Sequence, residues 1–403
     1  MQICPENKCT GCYACVNVCS KHCISMQENQ YGEVHPVIDE ARCIGCKKCI
    51  NVCPNNMPLE YNDPRACYAA WNTNKEKRKI CASGGIGSLM AEYVLTHRQG
   101  MTYGAIYDEN FVPRIKCVDS ICDIEKLKGS KYVQALVGES TFQDVKKTLS
   151  EGKFVLFVGT PCQIAGLKSF LKSDYENLIT VDLICHGVSP TRYFNEELDG
   201  ILKRLHLKKD QIENVRFRGN DKNNFFFSVW KKDERKGCYS VYKKSERQNF
   251  YLAGFMKGVS LRENCYGCNY ARPQRLADIT IGDFIGLGNK NVFPYAEKNA
   301  SSVMVNTEKG EIFYHDFSSI MNELKSVKRN YGERLQYKPS LQIPFPKHAQ
   351  YTTFRSSYPT YGYSASIKIA LSSELRKEQI IYILRRIRSF PKRAAKKIFN
   401  FLR

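Results

Sequence analysis

Apolar positions along the chain fall into short runs separated by turn residues. Ile24 to Asp39, with Gly32 and Pro36 inside it, has the length and turn signals of a short hairpin. From Ile86 the apolar residues Leu89, Met90, Tyr93, Val94 and Leu95 predict a helix that ends near Gly100. Met101 to Tyr107 reads as a strand, with Gly104 inside it, and Phe154 to Val158 as a buried strand. A helix over Ile164 to Leu171, a strand over Leu178 to Ile184 and a helix from about Pro190 follow. That alternation predicts a parallel sheet, whose ligands sit beyond the carboxyl ends of the strands. Val215 to Gly219 and Phe225 to Trp230 read as a hairpin, and Arg275 to Gly286 as a strand closing on a Gly-Asp turn. Near the end, Leu375 to Leu384 is an apolar-striped helix with Ile380, Ile381 and Ile383.

Cysteine changes the picture more than any other residue. There are 19 in 403 residues, and they cluster. With 43% hydrophobic residues the chain can build a core, which excludes a disordered chain and a small scaffold held by disulfides. No apolar run of signal-peptide type opens it, and none is long enough for a membrane span. In a reducing compartment such cysteines point to metal or redox chemistry.

Cys9, Cys12, Cys15 and Cys19 form one C-x2-C-x2-C-x3-C run; Cys43, Cys46, Cys49 and Cys53, followed by Pro54, form a second. This is the spacing of a two-cluster bacterial ferredoxin, in which the fourth cysteine of each run serves the other cluster. One [4Fe-4S] cluster is therefore expected on Cys9, Cys12, Cys15 and Cys53, and the other on Cys43, Cys46, Cys49 and Cys19. Ser20 stands where the second run has Pro54, and Cys4 and Cys23 have no role in the pattern. Cys162 and Cys185 fall at the carboxyl ends of two predicted strands, and Cys265 and Cys268 form a further C-x2-C. Four thiolates suffice for a third [4Fe-4S] cluster; the competing reading is a zinc at Cys265 and Cys268 with buried thiols elsewhere. Ser83, Gly84, Gly85, Gly87 and Ser88 form a Gly-rich loop opening a helix, a place for anionic groups or merely a tight turn.

In combination, Ser83-Gly84-Gly85, Gly159-Thr160-Pro161-Cys162-Gln163, Ile184-Cys185-His186-Gly187-Val188, and Cys265-Tyr266 with Cys268 ahead of Ala277-Asp278-Ile279-Thr280-Ile281-Gly282-Asp283-Phe284 are specific. Over roughly residues 1 to 310 the chain resembles the beta-subunit family of coenzyme F420 hydrogenases and dehydrogenases, iron–sulfur flavoproteins. The resemblance implies FAD beside a [4Fe-4S] cluster, with Ser83 to Ser88, Thr160 and Gln163 at the flavin site and Asp278 or Asp283 near it. His186, next to Cys185, is the candidate catalytic proton donor, with a packing role as its rival. Ile285 stands where the family often has Trp, and Phe217-Arg218-Gly219-Asn220 where it often has Phe-Arg-Asp-Lys; the second departure, in a region expected to touch substrate, speaks against coenzyme F420 as the partner.

The expected architecture is an α+β ferredoxin-like two-[4Fe-4S] domain over 1–62, then an α/β flavin-binding domain with a mostly parallel or mixed sheet over 63–345. Residues 346–403 are expected as a linker and basic amphipathic tail. The expected function is an iron–sulfur flavoprotein oxidoreductase. It draws single electrons from ferredoxin or another low-potential donor and reduces a small-molecule or lipid-linked substrate, such as a sugar intermediate of surface-polysaccharide biosynthesis. The alternatives are an electron-transfer subunit serving a separate catalytic partner, or a coenzyme F420 oxidoreductase. Lys plus Arg is 61 against 40 Asp plus Glu, a formal charge of +21 that suits an acidic donor. Arg385, Arg386, Arg388, Lys392, Arg393, Lys396 and Lys397 beside apolar residues suit an anionic membrane surface. The expected location is cytoplasmic, with peripheral attachment to the inner membrane face. No nucleic-acid role is expected, and a homodimer stays open.

Overall fold

The computed structural model describes residues 1–57, 59–218, 225–235, 237–289, 292–295, 299–337 and 339–401, with side chains of Pro339 and of residues beyond Leu384 excepted. Gly219 and Asn220, part of one departure noted above, and the basic residues from Arg385 onward lie outside that description in whole or in their side chains.

The chain opens with strands β1 (Ile24–Glu28) and β2 (Val34–Ile38), paired antiparallel. Asn29 makes the turn: its Oδ1 accepts the amides of Tyr31 and Glu33, and Gly32 takes φ +70°. One-turn helices α1 (Ala14–Asn17) and α2 (Lys48–Asn51) flank the hairpin. Each follows the same backbone figure, a left-handed glycine and a left-handed residue two positions on: Gly11 (+64°) with Tyr13 (+66°), and Gly45 (+68°) with Lys47 (+58°). The repeated cysteine spacing is thus a repeated fold of the loop.

The body holds an eight-stranded mixed sheet. Its strands are β3 (Ala66–Asn72), β4 (Met101–Tyr107), β5 (Pro113–Val118), β6 (Val155–Gly159), β7 (Leu178–Leu183), β11 (Ile279–Asp283), β12 (Ser301–Val305) and β13 (Leu324–Arg329). Across the sheet they lie in the order β13-β3-β12-β11-β7-β6-β4-β5. β4, β6, β7 and β11 run parallel, so their carboxyl ends share one rim. Connecting helices are α3 (Lys75–Arg78), α4 (Ile86–His97), α5 (Ile124–Leu127), α6 (Thr141–Ser150), α7 (Pro161–Leu171), α8 (Thr191–Arg204), α9 (Phe250–Met256), α10 (Glu308–Ile320), α11 (Tyr331–Leu335) and α12 (Tyr351–Phe401). A second sheet contains β8 (Asn214–Arg218), β9 (Phe225–Asp233) and β10 (Gly237–Ser245), with β9 in the middle.

Besides the unexpected strands β5, β12 and β13, three features depart from the sequence expectation. β3 is not predicted, because its Ala-rich run has few β-branched residues. β10 extends the expected hairpin to three strands; its polar face is exposed and gives no alternation. The third concerns the tail, which is not a linker from residue 346. α12 starts at Tyr351, breaks at Gly362 (φ 71°, ψ −178°), and runs on through Pro391. Phe354, Tyr358, Tyr363, Ile367 and Leu371 are buried in one core with Tyr193, Phe194 and Tyr251 of α8 and α9. That first half therefore belongs to the body. Among the described residues no helix is long and apolar enough to cross a membrane.

The N-terminal unit has no core of its own. Tyr13, Ala14, Val16 and Val52 share a buried cluster with Phe142, Val145, Ile164 and Leu167 of α6 and α7. Asn17 adds a polar latch: its side chain donates to Gly138 O and accepts the Phe142 amide at the start of α6, at 3.0 and 2.9 Å.

Candidate iron–sulfur centres and the rim of the sheet

Cys9, Cys12, Cys15 and Cys53 line one cavity of the N-terminal unit; Cys19, Cys43, Cys46 and Cys49 line the other. The crossing of the fourth ligand follows from α1 and α2, which carry Cys19 and Cys53 past the loop that precedes them. A fifth thiol enters each cavity: Cys4 in the first and Cys23 in the second, with Cys23 Sγ 3.4 Å from Cys19 Sγ. Cys4 and Cys23 are thus neighbours of the ligand sets rather than bystanders. The first cavity faces the body, and we call it inner. The second faces solvent, with Cys46 exposed and Ile44 63% exposed, and we call it outer.

Charged residues hold the inner cavity against the body. Arg262 is 1% exposed; its Nη2 donates to Cys9 O and Val34 O, and its Nη1 to Gln134 Oε1. Glu33 accepts Arg355 Nη1 at 2.7 Å and the Glu263 amide at 2.9 Å. Burial pushes the Glu33 carboxyl up, but His35, Arg262 and Arg355 outweigh it and hold the pKa at about 2.

The third set forms at the rim. Cys162 lies in the first turn of α7, whose cap is Thr160: the Gln163 side chain accepts the Thr160 amide at 2.9 Å, and the Thr160 hydroxyl lies 3.2 Å from Cys162 Sγ. Gln163 also donates to Ala135 O at 2.8 Å, so its side chain is taken up by the backbone. Cys185 follows β7, and its sulfur accepts the Gly187 amide at 3.4 Å. Cys265 is buried, which pushes its thiol pKa well up, and Cys185, Cys268 and Cys162 stand close enough to add to that rise. Tyr270, itself buried, lies near Cys162, Cys12 and Cys268. Gly166 of α7, four residues after Cys162, packs on the inner set: a Cβ there would stand 2.9 Å from Cys12 Cβ. Among the described residues no three His, Cys, Asp or Glu side chains converge as they would on one ion; a cubane's thiolates stand farther apart.

The Gly-rich loop reaches the same rim from the opposite side. Ser83 Oγ donates to Ala300 O, and the Gly84 amide to Ser301 Oγ, where β12 begins. Gly84 packs so tightly that a Cβ would meet Ala70 O at 2.3 Å. Gly85 takes φ +80° as the cap of α4, Gly87 faces Ile281, and Ser88 Oγ returns to Gly85 O. Asp283 ends β11 at this rim and accepts Arg218 Nη1 at 2.6 Å. Asp278 sits at the opposite end of β11, fully buried, with its carboxylate taken by Thr180 and Thr307. The structure thus puts Asp278 away from the rim and gives it the task of joining β7, β11 and α10. His186 is held between the rings of Phe255 and Phe345, with Nε2 3.1 Å from Phe255 O.

Residues 152–327 match the family model for the C terminus of the coenzyme F420 hydrogenase/dehydrogenase beta subunit. Residues 8–57 and 35–110 each match a 4Fe-4S dicluster domain. Through residues 152–327 the chain is related to the coenzyme F420 hydrogenase/dehydrogenase beta subunit. Its N-terminal unit is a dicluster [4Fe-4S] domain, which makes the protein an iron–sulfur electron-transfer protein related to that subunit. A chain of the F420-reducing [NiFe] hydrogenase complex from Methanosarcina barkeri, solved in a xenon-derivatization study, is similar with a TM-score of 0.44 and 19% identity, over 67% of this chain and 85% of that one. No curated protein matches. The sequence reading missed Arg262, Glu33 and the fifth thiols. Arg262 had one signal, a cation three residues before Cys265.

Proposed function

We propose that the chain is the electron-carrying subunit of an oxidoreductase. It takes single electrons from a low-potential donor such as ferredoxin and delivers them at the carboxyl rim of the large sheet, to an FAD that serves a separate catalytic partner. One observation carries this reading: the three cysteine sets succeed one another from solvent inward. The outer set is exposed, and the inner set is buried against α7, where Cys12 packs on Gly166 four residues from Cys162. Clusters of this kind carry one electron at a time and a flavin one or two, which is the chemistry these groups supply when bound.

The residues present fit those groups. The donors are all thiols, which favour iron–sulfur clusters. α4 offers first-turn amides without intrahelical acceptors, beside a loop whose glycine lets the backbone approach closely. Lys21, Lys47 and Lys48 line the outer cavity, and Arg42 donates to Lys21 O beside it, a basic face suited to an acidic donor. His186 is the candidate proton donor at the rim, one residue from Cys185. A second reading, action on a lipid-linked substrate at an anionic membrane, draws on the exposed Ile380, Ile381, Ile383 and Leu384 of α12.

The test is iron, sulfide and flavin per chain after anaerobic purification. The expected result is about twelve irons and one FAD, with the double variant Cys265→Ser, Cys268→Ser losing about four irons and keeping the dicluster signals. About eight irons in the unaltered protein would remove the third set, and absence of flavin would remove the FAD. Turnover of a lipid-linked substrate by the chain alone would replace the separate partner with the second reading.

A further inference from the structure

Arg334 of α11 is 0% exposed, and none of its three guanidinium nitrogens has a hydrogen-bond partner among the described residues. Two other buried arginines among the described residues are well satisfied, Arg262 by four acceptors and Arg275 by Asp182 and main-chain oxygens. Burial lowers the pKa of Arg334 only to about 10, so the side chain stays charged at neutral pH. Asp283 acts on it electrostatically but has its Oδ2 bonded to Arg218. A buried guanidinium without an acceptor is unfavourable unless an anion meets it.

The place is the rim already described. Glu333 accepts the Gly288 amide at 3.1 Å, and Tyr337 packs on Gly286, where a Cβ would stand 2.1 Å from its ring. These contacts hold α11 against the turn that follows Asp283. Leu335 and Tyr331 share a buried layer with Ala300, whose carbonyl accepts Ser83 of the Gly-rich loop. We propose that Arg334 anchors a phosphoryl-binding site at the carboxyl end of β11. The planar fork of five N–H groups matches a phosphate or pyrophosphate, which offers several oxygens at once. Both a dinucleotide cofactor and a phosphorylated substrate carry such a group. The site rests on the rim reading above for the source of the phosphoryl group and on Arg334 alone for its existence.

The test uses the anaerobically purified full chain, unaltered and as Arg334→Met and Arg334→Lys, with iron per chain as the check on folding. Bound phosphorus and flavin are released and counted, and ligand-stripped protein is titrated with FAD and with ADP. Arg334→Met is expected to bind both at least about tenfold more weakly, with Arg334→Lys in between. Released FAD identifies the cofactor as the source; a flavin-free phosphorylated compound identifies a substrate, keeping the Arg334 site and overturning the flavin reading. Flavin retained equally by Arg334→Met, or equal affinities throughout, overturns the Arg334 site and leaves the flavin reading standing. An unaltered protein that binds neither probe also overturns it.

Discussion

Arg262 ties three parts of the molecule with one side chain: the Cys9 loop and the Val34 end of the hairpin through Nη2, and Gln134 of the body through Nη1. Three residues later comes Cys265, so the same segment serves the inner and third sets. Arg262→Met strips charged hydrogen bonds from buried acceptors, and a loss on the order of 3 kcal/mol is expected. Anaerobic denaturant unfolding measures it, and limited proteolysis between the N-terminal unit and β3 should become faster while the brown absorption persists. Unchanged stability and proteolysis would mean that the apolar interface alone holds the unit. The eight dicluster cysteines were legible because their spacing is local. Arg262 and Glu33 were not, because their partners are distant in sequence: Arg262 bonds residues 128 to 253 positions away, and Glu33 meets Arg355 across 322.

At the scale of elements, glycines separate two kinds of constraint. Gly45 has open space around its missing Cβ and only its φ of +68° to defend, so Gly45→Ala is expected to cost about 1 kcal/mol. Gly84 has backbone at its two nearest approaches, Ala70 O at 2.3 Å and Ser301 N at 2.8 Å from a Cβ. Gly84→Ala must push the loop off β3 and β12, at a cost of about 1–3 kcal/mol. Thermal unfolding of the two variants should rank them in that order, and flavin retention should fall only in Gly84→Ala. The parallel strands β4, β6 and β7 were visible as apolar runs with helices between them. β3 was hidden by alanines, which carry no β-branched signal, and the packed half of α12 by a mixture of tyrosine, serine and threonine without a clear stripe. Burial of Tyr358 and Tyr363 depends on Glu196, which accepts Tyr358 OH and the Tyr363 amide at 2.7 Å each, a pairing that no local pattern announces.

Over the whole molecule, charge and core set the direction of traffic. Lys21, Lys47 and Lys48 cover the solvent side of the outer cavity. Reversing Lys47 and Lys48 to Glu is expected to slow reduction by an acidic donor by about tenfold or more at low salt, with the difference shrinking as salt rises. Stopped-flow bleaching of the clusters measures it; equal rates at all salt concentrations would place the entry point elsewhere. The shared core has a consequence for how the chain comes into being. Residues 1–57 are synthesised before α6 and α7, yet Tyr13, Ala14 and Val16 bury themselves only against Phe142, Ile164 and Leu167. Ribosomes add about 5–20 residues per second, so the cysteine loops wait roughly 5–20 s for the surface that encloses them. During that interval both loops stand open to the machinery that loads iron and sulfide. Once α7 docks, the inner loop closes while the outer one stays accessible, so repair of a damaged cluster in the finished protein is expected at the outer set first.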